Sequence, residues 1–288
     1  MMRLVTLTLI GAVLLSACRR AGDLLPEEVL RRVTLRSGQL QSVEMAGDLD
    51  AAVTMSGSRI SGRATVQGVL TNGGDQAEFS VHAQGILDRG SQRSTFQWSG
   101  EIVRDAEVSF VLLRDVSVDP PSTFSQGLEA MLGTWWSLPR SENDRASLPS
   151  LTPDPRFLRA QSMVITVVKD LGLEDIGGRD AYHYVVSIDP DRLVGLMQGL
   201  AEERGQPFSI EETRRTLDRY DAQGELWIDA DTFVVHRIAW TIVTREKPPA
   251  TRIAFRLQLR KHDDAPGVTI PTQSQPLDPT FLLPTFSF

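Results

Sequence analysis

The chain has 288 residues, a formal net charge of −7 and a single cysteine. The acidic balance, without dense runs of Lys and Arg, argues against nucleic acid as a partner. One cysteine cannot form a disulfide within the chain, so stability must come from burial, for which the length is ample.

The start of the chain resembles a bacterial lipoprotein signal. Arg3 precedes an apolar run from Leu4 to Leu15 that is too short to span a bilayer, and the run ends in Leu-Ser-Ala-Cys. The lipobox that this resembles is cut before a cysteine that becomes acylated. We therefore expect residues 1–17 to be removed and Cys18 to be lipidated, which anchors the protein to the cell membrane or outer membrane, facing the periplasm or exterior. The alternative is an ordinary secretory signal with a chance cysteine.

A short helix is predicted over Leu24–Leu35, and period-two patterns then predict strands with one apolar and one solvated face. The predicted strands are Val43–Val53, Ile60–Leu70, Phe79–Leu87, Phe96–Ile102, Val108–Val118, Ser162–Val168, Tyr182–Ile188, Glu225–Asp229, Thr232–Arg245 and Thr251–Lys261. Turn residues such as Asn72-Gly73-Gly74-Asp75 join the first strands, which indicates an antiparallel meander.

Three interior helices are predicted from apolar residues at helical spacing, over Phe124–Leu138, Pro190–Arg204 and Ser209–Tyr220. The last of them starts with a capping box, Ser-Ile-Glu-Glu. A large antiparallel sheet with one apolar face needs a cover, and these helices are the candidates. The sequence therefore predicts an α+β fold in which helices lie across an antiparallel sheet.

Two stretches resemble a known family. Residues 176–186 read as a Gly turn into an aromatic-bearing strand, Ile-Gly-Gly-Arg-Asp-Ala-Tyr-His-Tyr-Val-Val, followed by the acidic Asp189. Residues 224–237 carry a hairpin of the form W-I-D-x-x-T-x-x-V-x-R, and Val-Thr-Ile-Pro at 268–271 looks like a closing segment. The order of elements and these motifs resemble the LolA/LolB and LppX/LprG superfamily of bacterial lipoproteins and periplasmic carriers.

The resemblance implies an unclosed antiparallel β half-barrel with a helical lid over residues 18–265. It also implies a non-enzymatic role, in which a lipid or acyl chain is carried between sheet and lid. Residues 266–288 depart from the family and are expected to form an extended C-terminal tail. The residues themselves are equally compatible with a filled core, and the chain would then be an envelope sensor or scaffold that binds another protein.

No catalytic or cofactor motif is present, so we predict neither an enzyme nor a cofactor. The four histidines lie singly in or beside strands, which makes a metal site improbable. We expect any ligand to lie between the concave face of the sheet and the helices Phe124–Leu138 and Pro190–Arg204. The predicted contact residues are Leu132, Trp135, Leu193, Leu196 and Met197.

Overall fold

A computed structural model describes residues 24–55, 57–106, 108–139, 163–203, 205–246 and 250–277. The predicted signal peptide and Cys18 lie outside these ranges. The strands are β1 (Val43–Met55), β2 (Ser58–Thr71), β3 (Gln76–Arg89), β4 (Gln92–Arg104), β5 (Val108–Asp119), β6 (Trp135–Pro139), β7 (Ile165–Asp175), β8 (Asp180–Ile188), β9 (Tyr220–Asp229), β10 (Val235–Thr244), β11 (Thr251–Arg260) and β12 (Gln275–Pro276).

The twelve strands of the described residues form one sheet in the order β12-β6-β5-β4-β3-β2-β1-β11-β10-β9-β8-β7. Every pairing is antiparallel except that of β12 with β6. Strands β7 and β12 are the two edges, so the sheet is unclosed. This confirms the predicted fold class, an unclosed antiparallel half-barrel with helices.

The alternating pattern divides the sheet into two faces, because residues directly opposite each other on neighbouring strands lie on the same side. Apolar cross-strand pairs include Val43–Leu70, Met45–Leu259 and Phe79–Ile102. Polar pairs include Asp48–Arg256, Asp50–Arg63 and Gln67–Ser80. We call these two sides the apolar face and the polar face.

The helix that covers the core is the first one, α1 (Pro26–Ser37). Pro26 in its first turn, followed by two glutamates, is a typical helix start. Val29 and Val33 are buried and belong to the main core cluster, together with residues at one end of the apolar face on β1, β2, β3 and β7–β11. Helix α1 therefore closes that end of the apolar face, a role that the sequence analysis assigned to interior helices.

The predicted helix Phe124–Leu138 is wrong in its second half. Helix α2 (Thr123–Glu129) starts at an N-cap, Ser122, whose hydroxyl accepts a hydrogen bond from the Ser125 amide, and it ends at Glu129. Gly133 then takes a positive φ of 72°, which breaks the helical path, and β6 follows. The tryptophans of β6 pair with the otherwise open edge of β5, and this pairing overrides the helical spacing.

The other two helices follow β8, near the β7 edge of the sheet. Helix α3 (Pro190–Glu203) buries only Val194, and α4 (Ile210–Leu217) buries no residue. The pair is joined by Arg214 and Asp191, whose Nη2 and Oδ1 atoms are 2.6 Å apart. Helix α4 ends before Tyr220, which instead begins β9. No helix in the described ranges has both the length and the apolar character needed to cross a bilayer.

The ends of β10 and β7 differ from the predicted strand ends. Strand β10 begins at Val235, because residues 229–234 form a turn around the Asp229 carboxylate. Strand β7 continues to Asp175, with two irregularities in its register with β8. The two short pairings at β6 and β12 were not predicted, since five and two residues are too few to show a period.

Glycines on the apolar face make room for aromatic rings on the neighbouring strand. The cross-strand pairs are Gly68–Phe79, Gly85–Phe96 and Gly224–Trp240. A Cβ atom at Gly85 would lie 2.4 Å from Cζ of Phe96, so the ring occupies the space that a side chain would fill. The ring of Phe96 is thereby held against the sheet.

Candidate functional site, an apolar cleft on β4 and β5

The candidate site is a cleft of about 360 Å³ on the apolar face of β4 and β5. Cross-strand pairing brings Phe96 opposite Val118, Trp98 opposite Val116 and Ile102 opposite Val111. All of these side chains line the cleft, with Leu128 of α2 on its far side. Each is only partly buried, so the wall is apolar and is not filled by other side chains of the described residues.

The position of Leu128 depends on the segment that links α2 to β6. Leu132 forms an isolated bridge with Leu113 of β5, and the Gly133 amide donates to the Leu113 carbonyl at 2.9 Å. The Trp136 indole Nε1 donates to the Met131 carbonyl at 3.1 Å, and Met131 is buried. These contacts hold α2 beside β5, with one turn of helix over part of the cleft.

The rest of the apolar face is open beyond the reach of α1. Leu49 on β1 and Ile60 on β2 are 39% and 49% exposed, although both point to the same side as the core. Contiguous exposed apolar surface on a soluble domain commonly marks a binding site. The cleft therefore shares the apolar face with a longer exposed apolar strip, because cross-strand pairing connects Leu49 of β1 with Trp98 of β4 through Ala64 and Ala83.

A larger recess, about 1190 Å³, lies on the polar face of β1, β2 and β9–β11. Its lining includes the exposed side chains of Asp48, Asp50, Arg63, Arg252 and Arg256. Burying a hydrocarbon there would also desolvate these charges, at a cost of several kcal/mol per unpaired ion. The recess does not suit an acyl ligand, whereas the smaller cleft does.

A polar cluster on the polar face joins β7, β8 and β9. His183 Nδ1 lies 2.8 Å from Glu174 Oε2, and its Nε2 lies 3.1 Å from Glu225 Oε2. The imidazole stacks on Trp227 with ring centroids 4.2 Å apart, and the Trp227 indole donates to Glu174 at 2.9 Å. These contacts join the side chains of three neighbouring strands, which fits a structural role in holding β7, β8 and β9 together.

A second cluster surrounds the buried Asp229. Its Oδ1 accepts hydrogen bonds from the Thr232 amide at 2.7 Å and hydroxyl at 2.8 Å, and its Oδ2 lies 3.1 Å from His236 Nε2. Burial by itself would raise the pKa of this carboxyl, but the hydrogen bonds from Thr232 and His236 outweigh burial and lower the pKa to about 2. The carboxylate organises the β9–β10 turn.

These clusters do not amount to a metal centre. Within the ranges that the structure describes, no three His, Cys, Asp or Glu side chains converge in a way that would hold a metal ion. His262 Nε2 lies 2.9 Å from the Val235 carbonyl, and its ring meets the ring of His236 edge to face with centroids 5.5 Å apart.

None of the five predicted contact residues lines the cleft. Leu132 is in the link before β6, and Trp135 in β6 pairs with Leu112, on the opposite face from Trp136 and Val111. Leu193, Leu196 and Met197 lie together on α3, away from β4 and β5, and Met197 is 39% exposed. Contact of these five residues with a ligand stays a prediction.

The residues that do line the cleft were predicted as strand residues but not as a site. Phe96, Trp98, Val116 and Val118 show only the ordinary alternation of a half-buried strand. Alternation identifies the apolar face, but it does not show which part of that face is left without a covering helix. The adjacent tryptophans at 135 and 136 are more conspicuous in the sequence, and for that reason the predicted ligand contacts include Trp135 and not these strand residues.

Comparison with known proteins shows likeness only at the level of structure. No protein-family model matches the sequence, and the search of curated proteins returns no match either. Among solved structures, LprF from Mycobacterium bovis matches with 16% identity and a TM-score of 0.42, covering 85% of this chain and 95% of that one. The lipoprotein LppX from Mycobacterium tuberculosis matches with 13% identity and a TM-score of 0.37, covering 85% and 100%.

A LolA-superfamily protein from Nitrosomonas europaea matches with 9% identity and a TM-score of 0.27, covering 85% of this chain and 96% of that one. All three TM-scores are below 0.5 and all three identities are below 25%, so these likenesses contribute nothing to the assignment of a ligand. The unclosed sheet of the described residues, with its helices, is the fold that the resemblance to the LolA/LppX superfamily implies.

Proposed function

We propose that this protein is a non-enzymatic, membrane-anchored lipoprotein that binds a lipid acyl chain in the cleft on β4 and β5. The observation that carries the proposal is the cleft itself, which is walled by aromatic and branched aliphatic side chains and has a volume of about 360 Å³. Clefts that bind small molecules typically measure about 300–1,000 Å³ and are mostly apolar.

An acyl chain suits this wall because its binding needs no hydrogen-bond partners. Each CH₂ group moved from water into the cleft contributes roughly 0.8 kcal/mol. The open apolar strip past Leu49 and Ile60 provides further surface for a chain longer than the cleft. A polar ligand would leave its donors and acceptors unpaired against Phe96, Trp98 and Val116.

The test fills the cleft with a side chain. In the soluble form without residues 1–18, Val116→Trp should weaken binding of a fluorescent fatty acid, 11-dansylaminoundecanoic acid, by about tenfold, which corresponds to ~1.4 kcal/mol. Ser117→Trp is the matched control, because the next residue on β5 is exposed and points to the polar face. We expect its affinity to stay at the wild-type value.

Equal binding by both variants would contradict this assignment of the site. If neither variant nor the wild type bound the probe, and organic extracts of the purified protein held no lipid, the envelope scaffold hypothesis would replace the carrier hypothesis.

The membrane anchor is a separate part of the proposal and rests on the Leu-Ser-Ala-Cys sequence at Cys18. Cys18→Ser should move the protein from the membrane to the soluble extracytoplasmic fraction, because one or more acyl chains are lost. Ser16→Ala is the control, since it keeps a small residue and the cysteine. An unchanged membrane fraction for Cys18→Ser would refute lipid anchoring.

A further inference from the structure

The segment after β11 runs from the middle of the sheet to the edge formed by β6 and β12. The Asp263 amide donates to the Ser42 carbonyl at 2.8 Å, before β1, and the Thr269 amide donates to Glu78 Oε2 on β3 at 3.0 Å. Strand β12 then pairs in parallel with β6, and the Leu277 amide donates to the Ser137 carbonyl at 2.9 Å. The chain has thus crossed from the middle of the sheet to the strand next to β5.

The last described residue, Leu277, points to the apolar face. Gln275 is in register with Trp136, which shares its face with Val111 of the cleft. Side chains alternate along an extended chain, so Leu277 lies on the same side as Gln275. Leu277 is only 5% exposed. The chain therefore enters residues 278–288 already buried beside the wall of the cleft.

Residues 278–288 have the composition of an occupant of that cleft. The sequence is Asp-Pro-Thr-Phe-Leu-Leu-Pro-Thr-Phe-Ser-Phe, with Asp278 as its one charged side chain. Its apolar side chains are Phe281, Leu282, Leu283, Phe286 and Phe288. Large apolar side chains are more stable against an apolar wall than in water, so this composition favours contact with the cleft.

The segment is also long enough to reach the cleft. Three strand spacings of roughly 4.8 Å separate β12 from β4. Leu277 lies near the level of Ser109, and Val116 is seven residues along β5, or about 23 Å. Eleven extended residues span up to ~36 Å. The Asp278-Pro279 dipeptide favours the turn that this path requires.

We propose that residues 278–288 occupy the cleft on β4 and β5 and compete with its acyl ligand. The inference rests on the proposed function only for the competitor and not for the contact itself. Occupation by the chain's own segment would keep the apolar wall out of water until a ligand of higher affinity displaces it.

Two experiments separate the contact from the competition. In the first, the photo-crosslinking amino acid p-benzoylphenylalanine replaces Phe286, with the exposed Gln273 as the control position. We expect intramolecular cross-links from position 286 to peptides of β4 and β5 and none from position 273. Cross-links to other elements only, or only between two molecules, would overturn the proposal.

In the second, a variant that ends at Leu277 and a full-length variant with all five Phe and Leu residues of 278–288 changed to Ser are titrated with 11-dansylaminoundecanoic acid. If the segment fills the cleft nine-tenths of the time, both variants should bind the probe about tenfold more tightly than the intact chain. Unchanged affinity in both would overturn the competition.

The two readouts also distinguish this inference from the proposed function. Cross-links to β4 and β5 without probe binding by any form would support the contact and remove acyl binding. Probe binding that Val116→Trp abolishes, without cross-links to β4 and β5, would support acyl binding and remove the contact.

Discussion

At the scale of single residues, Asp229 shows how one buried carboxylate shapes a hairpin. It accepts hydrogen bonds from the Asp231 and Thr232 amides and from the Thr232 hydroxyl, and it faces His236. Asp229 and Asp231 both lie in the hairpin motif at residues 224–237. Their spacing does not show that only the first carboxylate is buried, because that depends on how β8 and β10 flank the turn.

Asp229→Asn should destabilise the protein at neutral pH, because the amide is uncharged and cannot accept all the hydrogen bonds that the carboxylate accepts. The pKa of Asp229 is lowered from 3.8 to about 2, which corresponds to about 2 kcal/mol of stability. Because the folded-state pKa is the lower one, this stability is complete above about pH 4 and is lost as the pH falls toward 2.

The measurement is urea unfolding of wild type and variant between pH 7 and pH 2. We expect a difference of about 2 kcal/mol at pH 7 that shrinks below pH 4. A difference independent of pH would mean that the charge of Asp229 does not stabilise the hairpin.

At the scale of elements, the helices differ in what they cover. Residues of α1 enter the main core, whereas α3 keeps its apolar stripe half exposed, with Leu200 at 39%. In sequence, α3 carries more apolar residues than α1. Periodicity reports that a helix has an apolar side, but it does not report which surface that side meets.

Val29→Ala should lower the free energy of unfolding by about 2 kcal/mol, because the side chain is fully buried and two methyl groups are lost from the core. Leu200→Ala on α3 is the comparison, and its effect should stay within about 0.5 kcal/mol. Thermal unfolding followed by circular dichroism gives both values. A larger loss for Leu200→Ala than for Val29→Ala would mean that α3, and not α1, covers the sheet.

At the scale of the whole molecule, the sheet has a filled part and an unfilled part. The main core cluster draws on α1, β1, one end of β2 and β3, and β7–β11, and it contains no residue of β4, β5 or β6. Those three strands carry a smaller set of buried side chains, among them Val103 and Leu112. The cleft lies in this less densely packed part.

Hydrogen–deuterium exchange should therefore be faster in β4–β6 than in β1 and β8–β11, because fewer buried contacts hold those strands together. Addition of the fluorescent fatty acid should slow exchange in β4 and β5 and leave β8–β11 unchanged. Uniform protection across the sheet, with or without the probe, would contradict the division into two parts.

Alternation in the sequence is enough to predict every strand except β6 and β12, because a period of two, as at Val43–Val53 or Phe79–Leu87, is typical of a strand with one apolar face. Which side chains and helices cover that face depends on tertiary contacts. Val29 is buried and Met197 is exposed because α1 docks on the core and α3 does not. Trp135 and Trp136 are in a strand because their backbone pairs with the edge of β5. Phe96 and Trp98 line a cleft because no helix of the described residues fills the space above them, and that depends on contacts between distant segments.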